Sequence, residues 1–262
     1  MRQYIATQNL DSDGFLTISG KDFRYLKSIL RLSVGDMLHV RLLSGALQEM
    51  TVCKIDEKSK KISLQICDSK AASSENLPTQ NSLLSSCEFT LFMALPKSSK
   101  FDQIVRQATE CGITKIIPVQ TEFSQKGSEK INFRSERFER IIKEARQQSG
   151  SPVETKIEPC VSLKTACELW KSETESLKES ESLAVVLYER NDFTVSVGES
   201  VKNKENLKKI ALFCGSEGGL SPYEIKLLCS QGFSAVHLKT NILRCETAAI
   251  YGIAALQTRI FS

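Results

Sequence analysis

Apolar and polar positions divide the chain into two differently patterned stretches. Up to residue 68 the apolar residues come in short runs, several of them alternating, as in Ile62-Ser63-Leu64-Gln65-Ile66. A period of two turns one face of a strand inward and the other to solvent. The pattern predicts strands at 4–6, 15–18, 36–43, 47–55 and 61–67, with turns at Gly14, Gly35-Asp36 and Ser44-Gly45. One helix begins after Gly20 and carries Phe23, Leu26 and Leu30 toward one side. Short strands with little helix predict a small β-barrel.

From residue 88 onward, unbroken apolar runs alternate with apolar positions at helical spacing. Strands are predicted at 89–95, 115–119, 183–188, 210–214 and 235–238. Helices are marked by Phe101, Ile104, Val105, Ala108 and Cys111, by Phe138, Ile141 and Ile142 within 133–147, and by the stretches 163–177 and 246–260. Ser221-Pro222-Tyr223-Glu224 opens another, with Ser at the N-cap, Pro at the first helical position and Glu three residues after the cap. Strands buried on both faces and separated by helices predict an α/β fold with a mostly parallel sheet. Between the two patterns, residues 69–87 are rich in Ser, Asn, Gln and Pro and read as a linker. The expected organisation is a β domain at 1–68, a linker at 69–87 and an α/β domain at 88–262.

The most informative stretch is 209–256. The strand at 210–214 runs straight into Gly215-Ser216-Glu217-Gly218-Gly219, and the strand at 235–238 is followed by a loop and an alanine-rich helix. In open α/β sheets, ligands bind at the carboxyl ends of such strands. The glycines let backbone N–H groups approach a ligand closely, although a tight turn would use them equally well. The spacing is neither GxGxxG nor GxxxxGK[ST], so neither a dinucleotide fold nor a P-loop is supported.

Composition narrows the chemistry. The chain has 262 residues, a net charge of +4, nine cysteines and two histidines. The cysteines show no CxxC pairing and read as small buried hydrophobes of a reducing compartment. Metal-ligand spacing is absent, and a Ser-His-Asp mechanism has little material to draw on. The chain has neither an apolar leader nor an 18-residue apolar run, and a cytoplasmic protein is expected. Lys21, Arg24, Lys27 and Arg31 recur at three- and four-residue spacing, which puts them on one helix face. Such a strip is either a solvated surface or a match for a phosphate backbone.

GSEGGLSPYEI followed by LKTNILRCETAAIYGIAAL resembles the bacterial 16S ribosomal RNA (uracil-N3)-methyltransferases of the SPOUT superfamily. That family shows GPEGG and then an LG-x-RILR-x-ETA segment. The resemblance extends upstream through Arg31, Gly35 and Asp36, through Ala94-Leu95-Pro96-Lys97, through Gln107-Ala108-Thr109-Glu110-Cys111-Gly112-Ile113, through Arg146-Gln147-Gln148-Ser149-Gly150 and through Leu187-Tyr188-Glu189. It implies a PUA-like RNA-binding barrel followed by a SPOUT domain with a C-terminal trefoil knot. It further implies a homodimer, S-adenosyl-L-methionine as cofactor, and 16S rRNA of the small ribosomal subunit as substrate.

The same resemblance assigns residues. Arg244, Glu246 and Glu217 are the expected catalytic groups: Arg244 for charge spread onto uracil O2 and O4, the two carboxylates as base or as holders of Arg244. Glu246 also suits a helix start without any catalytic part. Leu187, Tyr188, Glu189, Gly215, Ser216, Gly218, Gly219, Leu238, Lys239, Ile242, Leu243 and Thr247 are expected at the cofactor. Lys21, Arg24, Lys27, Arg31 and Lys97 are expected at RNA. The chain departs from the family pattern at Ser216, where Pro is usual, and at Lys239 and Asn241, where Gly and Arg are usual. The departures bear on loop geometry and on how RNA is held. The alternatives are a SPOUT enzyme for another RNA site and an RNA- or ribosome-binding protein whose catalysis is impaired.

Overall fold

The computed structural model describes residues 3–67, 87–124, 135–190 and 193–261. Most of the expected linker, 69–86, lies outside them, as does the expected start of the helix at 133. The chain divides into two compact units: residues 1–78 with 147–150, and residues 79–146 with 151–262.

The first unit contains β1 (Tyr4–Ile5), β2 (Phe15–Ser19), β3 (Met37–Arg41), β4 (Leu47–Asp56) and β5 (Lys61–Ile66) in the order β1-β3-β4-β5-β2. Only the β1–β3 pair is parallel. Alternation fixes the register. Leu16 and Ile18, Leu38 and Val40, Met50 and Val52, and Ile62 and Leu64 point into one core with Tyr4 and Leu26. The hydrogen-bonded path has β1 and β2 at its ends, so the described ladder forms a half-barrel.

The helix after Gly20 is shorter than its pattern implied. α1 (Gly20–Arg24) passes directly into a π-helical turn at Tyr25–Ile29, where the Leu30 N–H reaches the Tyr25 carbonyl. Arg31 then turns left-handed, with φ of 57°. The wider turn breaks the three- and four-residue periodicity, so the single helical face expected for Lys21, Arg24, Lys27 and Arg31 does not extend to Arg31. Lys21, Arg24 and Arg31 are exposed, and Lys27 pairs with Glu57 at 3.5 Å.

The second unit is a seven-stranded sheet in the order β12-β10-β11-β6-β7-β8, with β9 also on β7, and every pairing parallel. Its strands are β6 (Glu88–Ala94), β7 (Lys115–Gln120), β8 (Lys156–Ile157), β9 (Val161–Ser162), β10 (Ser182–Leu187), β11 (Lys209–Cys214) and β12 (Ser234–Val236). Its helices are α2 (Ser98–Glu110), α3 (Ser135–Ser149), α4 (Leu163–Thr174), α5 (Val197–Ser200), α6 (Pro222–Ser230) and α7 (Cys245–Ile260).

Successive residues of the central strands feed opposite faces, because strand side chains alternate. Phe89, Leu91, Met93, Ile210, Leu212 and Cys214 pack against α2, α3 and α7. Phe92, Ala94, Ala211, Phe213, Ala184 and Val186 pack against α4 and α6. Both faces of the sheet are covered, which is why these strands are apolar throughout. The short β8, β9 and α5 carry too few residues to produce a periodic signal.

Candidate active site

The carboxyl ends of β10, β11 and β12 lie side by side, with β10 between the other two. A cavity of about 380 Å³ opens there. Leu187, Tyr188 and Glu189 enter from β10, residues 214–220 from the turn after β11, and His237, Leu238 and Thr240 to Cys245 from the loop after β12. Lys100 of α2 and Ala248 of α7 complete the lining. This volume is within the range of about 300–1,000 Å³ usual for small-molecule sites.

The glycine turn is held from both sides. The Gly219 N–H donates to the Ser216 carbonyl at 2.9 Å, and the buried Ser216 hydroxyl donates to the Phe123 carbonyl at 2.8 Å. Ser216, expected to disturb the turn by standing in for proline, instead anchors it. Gly218 lies so close to Phe123 that a Cβ there would come within 2.8 Å of the phenylalanine Cβ. Beyond the turn, the capping box forms as its sequence predicts, Ser221 accepting from the Glu224 N–H and Glu224 from the Ser221 N–H. The second oxygen of the buried Glu224 accepts the Glu122 N–H at 2.7 Å, tying the helix start to the loop after β7.

β12 ends two residues earlier than expected. The His237 N–H turns to the Val195 carbonyl, and Leu238 and Thr240 form a tight turn. His237 and Leu238 therefore belong to the cavity wall and not to the strand. Ile242, on the same loop, is 88% exposed at the rim. Arg244 is the N-cap of α7, its carbonyl accepting the Ala248 N–H at 2.7 Å and its side chain exposed.

The two expected carboxylates meet on a lysine, not on Arg244. Lys100 Nζ is 3.1 Å from Glu246 Oε2 and 3.6 Å from Glu217 Oε1. The same Glu217 oxygen accepts the Lys97 backbone N–H at 3.1 Å, which is how Lys97 takes part; its side chain is exposed. The Cys245 thiol donates to Glu246 at 3.3 Å. Burial pushes the Glu246 carboxyl up, but its own backbone N–H, Lys100 and Cys245 together hold it below the usual carboxylate range. Burial first, and then Glu246, push the Cys245 thiol up to about 12, so it stays protonated and remains a donor. The Glu246 bond to Lys100 in turn raises the ammonium.

Of the residues expected at the cofactor, Leu187, Tyr188, Glu189, Gly215, Ser216, Gly218, Gly219, Leu238, Ile242 and Leu243 line the cavity, whereas Lys239 and Thr247 do not. Both point outward because the tight turn at 238–240 and the first turn of α7 expose them. Glu217 and Arg244 line it too, and Glu246 stands behind Lys100. Sequence reasoning missed Lys100, His237, Thr240, Asn241 and Ala248. Lys100 had a readable signal, a second cation one helical turn after Lys97 at the start of α2. Among the described residues no group of three or more His, Cys, Asp and Glu is placed to hold a metal ion, and no helix is long and apolar enough to cross a membrane.

A parallel α/β sheet with a glycine-rich cavity at the carboxyl ends of its strands defines a small-ligand-binding domain of the doubly covered class. The chain belongs to the RNA methyltransferase domain family, whose model matches residues 84–257. It is 30% identical to the ribosomal RNA small subunit methyltransferase E of Aquifex aeolicus over 87% of this chain and 94% of that one. It is 29% identical to the enzyme of the same name from Rickettsia conorii over 98% and 94%. Among solved structures, that of the Neisseria gonorrhoeae ribosomal RNA small subunit methyltransferase E bound to S-adenosyl methionine superposes with a TM-score of 0.74. It covers 98% of this chain and 97% of that chain at 22% identity, and so supports the fold.

Proposed function

We propose that this methyltransferase moves a methyl group from S-adenosyl-L-methionine to N3 of one uridine in 16S rRNA of the small ribosomal subunit. The observation that carries the reading is the cavity where the glycine turn, the β12 loop and Arg244 converge, in a chain of the RNA methyltransferase family. The residues present fit the cofactor. Leu187, Leu238, Ile242 and Leu243 offer apolar surface for a flat base, and the turn at 215–219 offers backbone N–H and carbonyl groups without bulky side chains in the way. Glu189 and Glu217 add carboxylates to the wall, suited to a cationic ligand rather than to a phosphate. The cofactor supplies an electrophilic methyl group when bound.

The chain's own task is to make uracil N3 a nucleophile. The N3 proton must leave to solvent water, and the charge spreads onto O2 and O4. Arg244 presents a rigid fork of donors at the cavity edge, the form of cation that meets a carbonyl edge best. Glu246, held below the usual carboxylate range, is a weaker base than a free glutamate. The burden of easing N3 ionisation therefore falls on Arg244, while Glu217 and Glu246 anchor the cation beside them.

The first unit is assigned to RNA as a PUA-like barrel, with Lys21, Arg24, Lys27 and Arg31 on phosphates and Lys97 of the second unit as a further contact. Replacing Lys27 and Arg31 together by Ala weakens RNA binding and flattens its salt slope by about two, one per released phosphate contact. An unchanged slope in a salt titration would refute the strip.

The second unit is read as a SPOUT domain whose C-terminal region forms a trefoil knot. The parallel order with β12 placed beyond β10 supports this, and an experimental chain trace that pulls straight from both ends counts against it. A homodimer fits the outward face of α7, where Tyr251, Ala254, Ala255 and Thr258 line a shallow depression with Val197 and Gly198. Small residues with one exposed tyrosine suit close helix contact with a second copy in the cytoplasm. Sedimentation at micromolar concentration is expected to give twice the chain mass, and an active monomer would sink the assignment.

Nucleoside mass spectrometry of small-subunit rRNA tests the function itself. Deleting the gene removes 3-methyluridine, and restoring it returns the modified base. Loss of a different methylated nucleoside would point to another RNA site. No change, together with retained RNA binding, would point to a protein that has lost catalysis.

A further inference from the structure

Lys100 is the only lysine lining the cavity among the described residues, and no expectation from the sequence included it. It sits in the first turn of α2, which packs on α7 through the shared core. Its ammonium joins two elements that chain connectivity does not: the glycine turn through Glu217 and the start of α7 through Glu246. Glu217 is also fastened to the backbone of Lys97, so the turn meets α2 at two points one helical turn apart. Arg244 is two residues before Glu246 and caps the same helix. Whatever fixes the Glu246 end of α7 therefore fixes the backbone from which Arg244 projects.

We infer that Lys100 is the positioning residue of the reaction: it clamps the glycine turn to the start of α7 and thereby sets Arg244 against the substrate edge. The inference rests on the methyl-transfer reading given above. Two carboxylates share one ammonium, so each holds the other's partner in place, and neither can swing to pair with Arg244. That leaves the guanidinium available to a ligand. With an apolar side chain at 100, two acidic groups would face each other without a cation.

The charged and titratable groups facing Glu246 are Lys100 from α2, Glu217 from the glycine turn, Cys245 from α7 and Cys214 from β11, whose thiol donates to the Cys245 carbonyl. Of these only Lys100 is a cation. Its removal leaves burial, the largest influence on Glu246, opposed only by hydrogen bonds. The carboxyl must then titrate higher.

The test compares Lys100→Met and Lys100→Arg in the full chain, with carboxyl-labelled glutamate followed by NMR alongside kinetics. In Lys100→Met the Glu246 carboxyl titration, assigned by its loss in Glu246→Gln, should rise by about one pH unit or more. The acidic limb of kcat against pH should rise with it. Turnover at neutral pH should fall about tenfold or more, while calorimetry gives S-adenosylmethionine affinity within about threefold of the parent, the pattern of an interaction felt mainly in the transition state. Lys100→Arg should restore both limb and titration. An unmoved Glu246 titration in Lys100→Met overturns the clamp, as does a parallel loss of cofactor binding and thermal stability in both variants. The NMR arm needs no turnover. If the parent protein proves inactive on small-subunit RNA, the function reading fails by itself while the carboxyl titration still decides whether Lys100 holds the cluster.

Discussion

Arg244→Lys is expected to lower turnover by about two to three orders of magnitude, the loss that follows removal of one well-placed donor to a developing anion. Cofactor affinity should stay within about threefold, because the lost interaction belongs to the transition state. The structure separates this outcome from a structural one. What Arg244 gives to the fold is backbone: its extended conformation at the N-cap and its carbonyl bond to Ala248, both of which a lysine keeps. Its side chain is exposed at the cavity, and among the described residues no hydrogen bond or ion pair engages it. The competing idea that it clamps Glu246 meets a carboxylate already on Lys100 at 3.1 Å. Lysine fails as a substitute because a point charge cannot copy the two-donor fork. Raising the pH toward the ionisation of free uridine should recover part of the lost rate, since the ring then needs less help to lose its proton. A thermal midpoint that falls with activity, or near-normal turnover in a folded variant, would refute the assignment.

Two kinds of information differed in how legible they were in the chain. Patterns that repeat within one element were plain. The apolar runs of β6, β10 and β11 gave a buried parallel sheet, and Ser221 to Glu224 gave a capping box that forms as spelled. The carboxyl-end rule then placed the cavity, and most of the residues named for the cofactor line it. What failed depended on chain segments distant in sequence or on local turns that motif spacing does not encode. Nothing local announces that the Phe123 carbonyl will meet Ser216, so a departure from the family pattern reads as damage when it is an anchor. Lys239 was placed at the cofactor by motif position, but a turn bond from Thr240 to the Leu238 carbonyl rotates it outward. The shared helical face expected for the four cations stopped short of Arg31 for a local reason. Spacing implies a shared face only while the helix stays α, and the π turn at Tyr25–Ile29 ends that condition before Arg31. Glu246 was legible as a helix-start carboxylate, yet its partner comes from α2, roughly half the chain away, and only the fold brings the two together.

Gly215→Ala should abolish measurable cofactor binding at ordinary ligand concentrations, with an affinity loss of at least about a hundredfold from the removal of a preorganised turn. A Cβ at 215 would lie 2.9 Å from the Gly219 carbonyl carbon, 3.0 Å from its Cα and 3.1 Å from its oxygen. All three are backbone atoms, so no side-chain rotation relieves the contact. The turn can accept the methyl only by opening. Opening it breaks the Gly219 N–H bond to Ser216 and pulls on the Ser216 bond to Phe123. The stability loss should be about 1–3 kcal/mol, typical of a methyl forced into a packed place. The rest of the sheet carries its own core on both faces, so folding should survive. Chemical denaturation and calorimetry with S-adenosylmethionine read the two quantities separately. Gly252→Ala supplies the contrast: its Cβ would approach Leu187 Cδ1 at 2.9 Å and Leu212 Cδ2 at 3.1 Å, both ends of flexible side chains. That variant should lose affinity only as far as Leu187, a wall of the cavity, is displaced, and by less than Gly215→Ala. Equal losses in the two variants, or retained binding in Gly215→Ala, would show that the turn's closed backbone is not what holds the ligand.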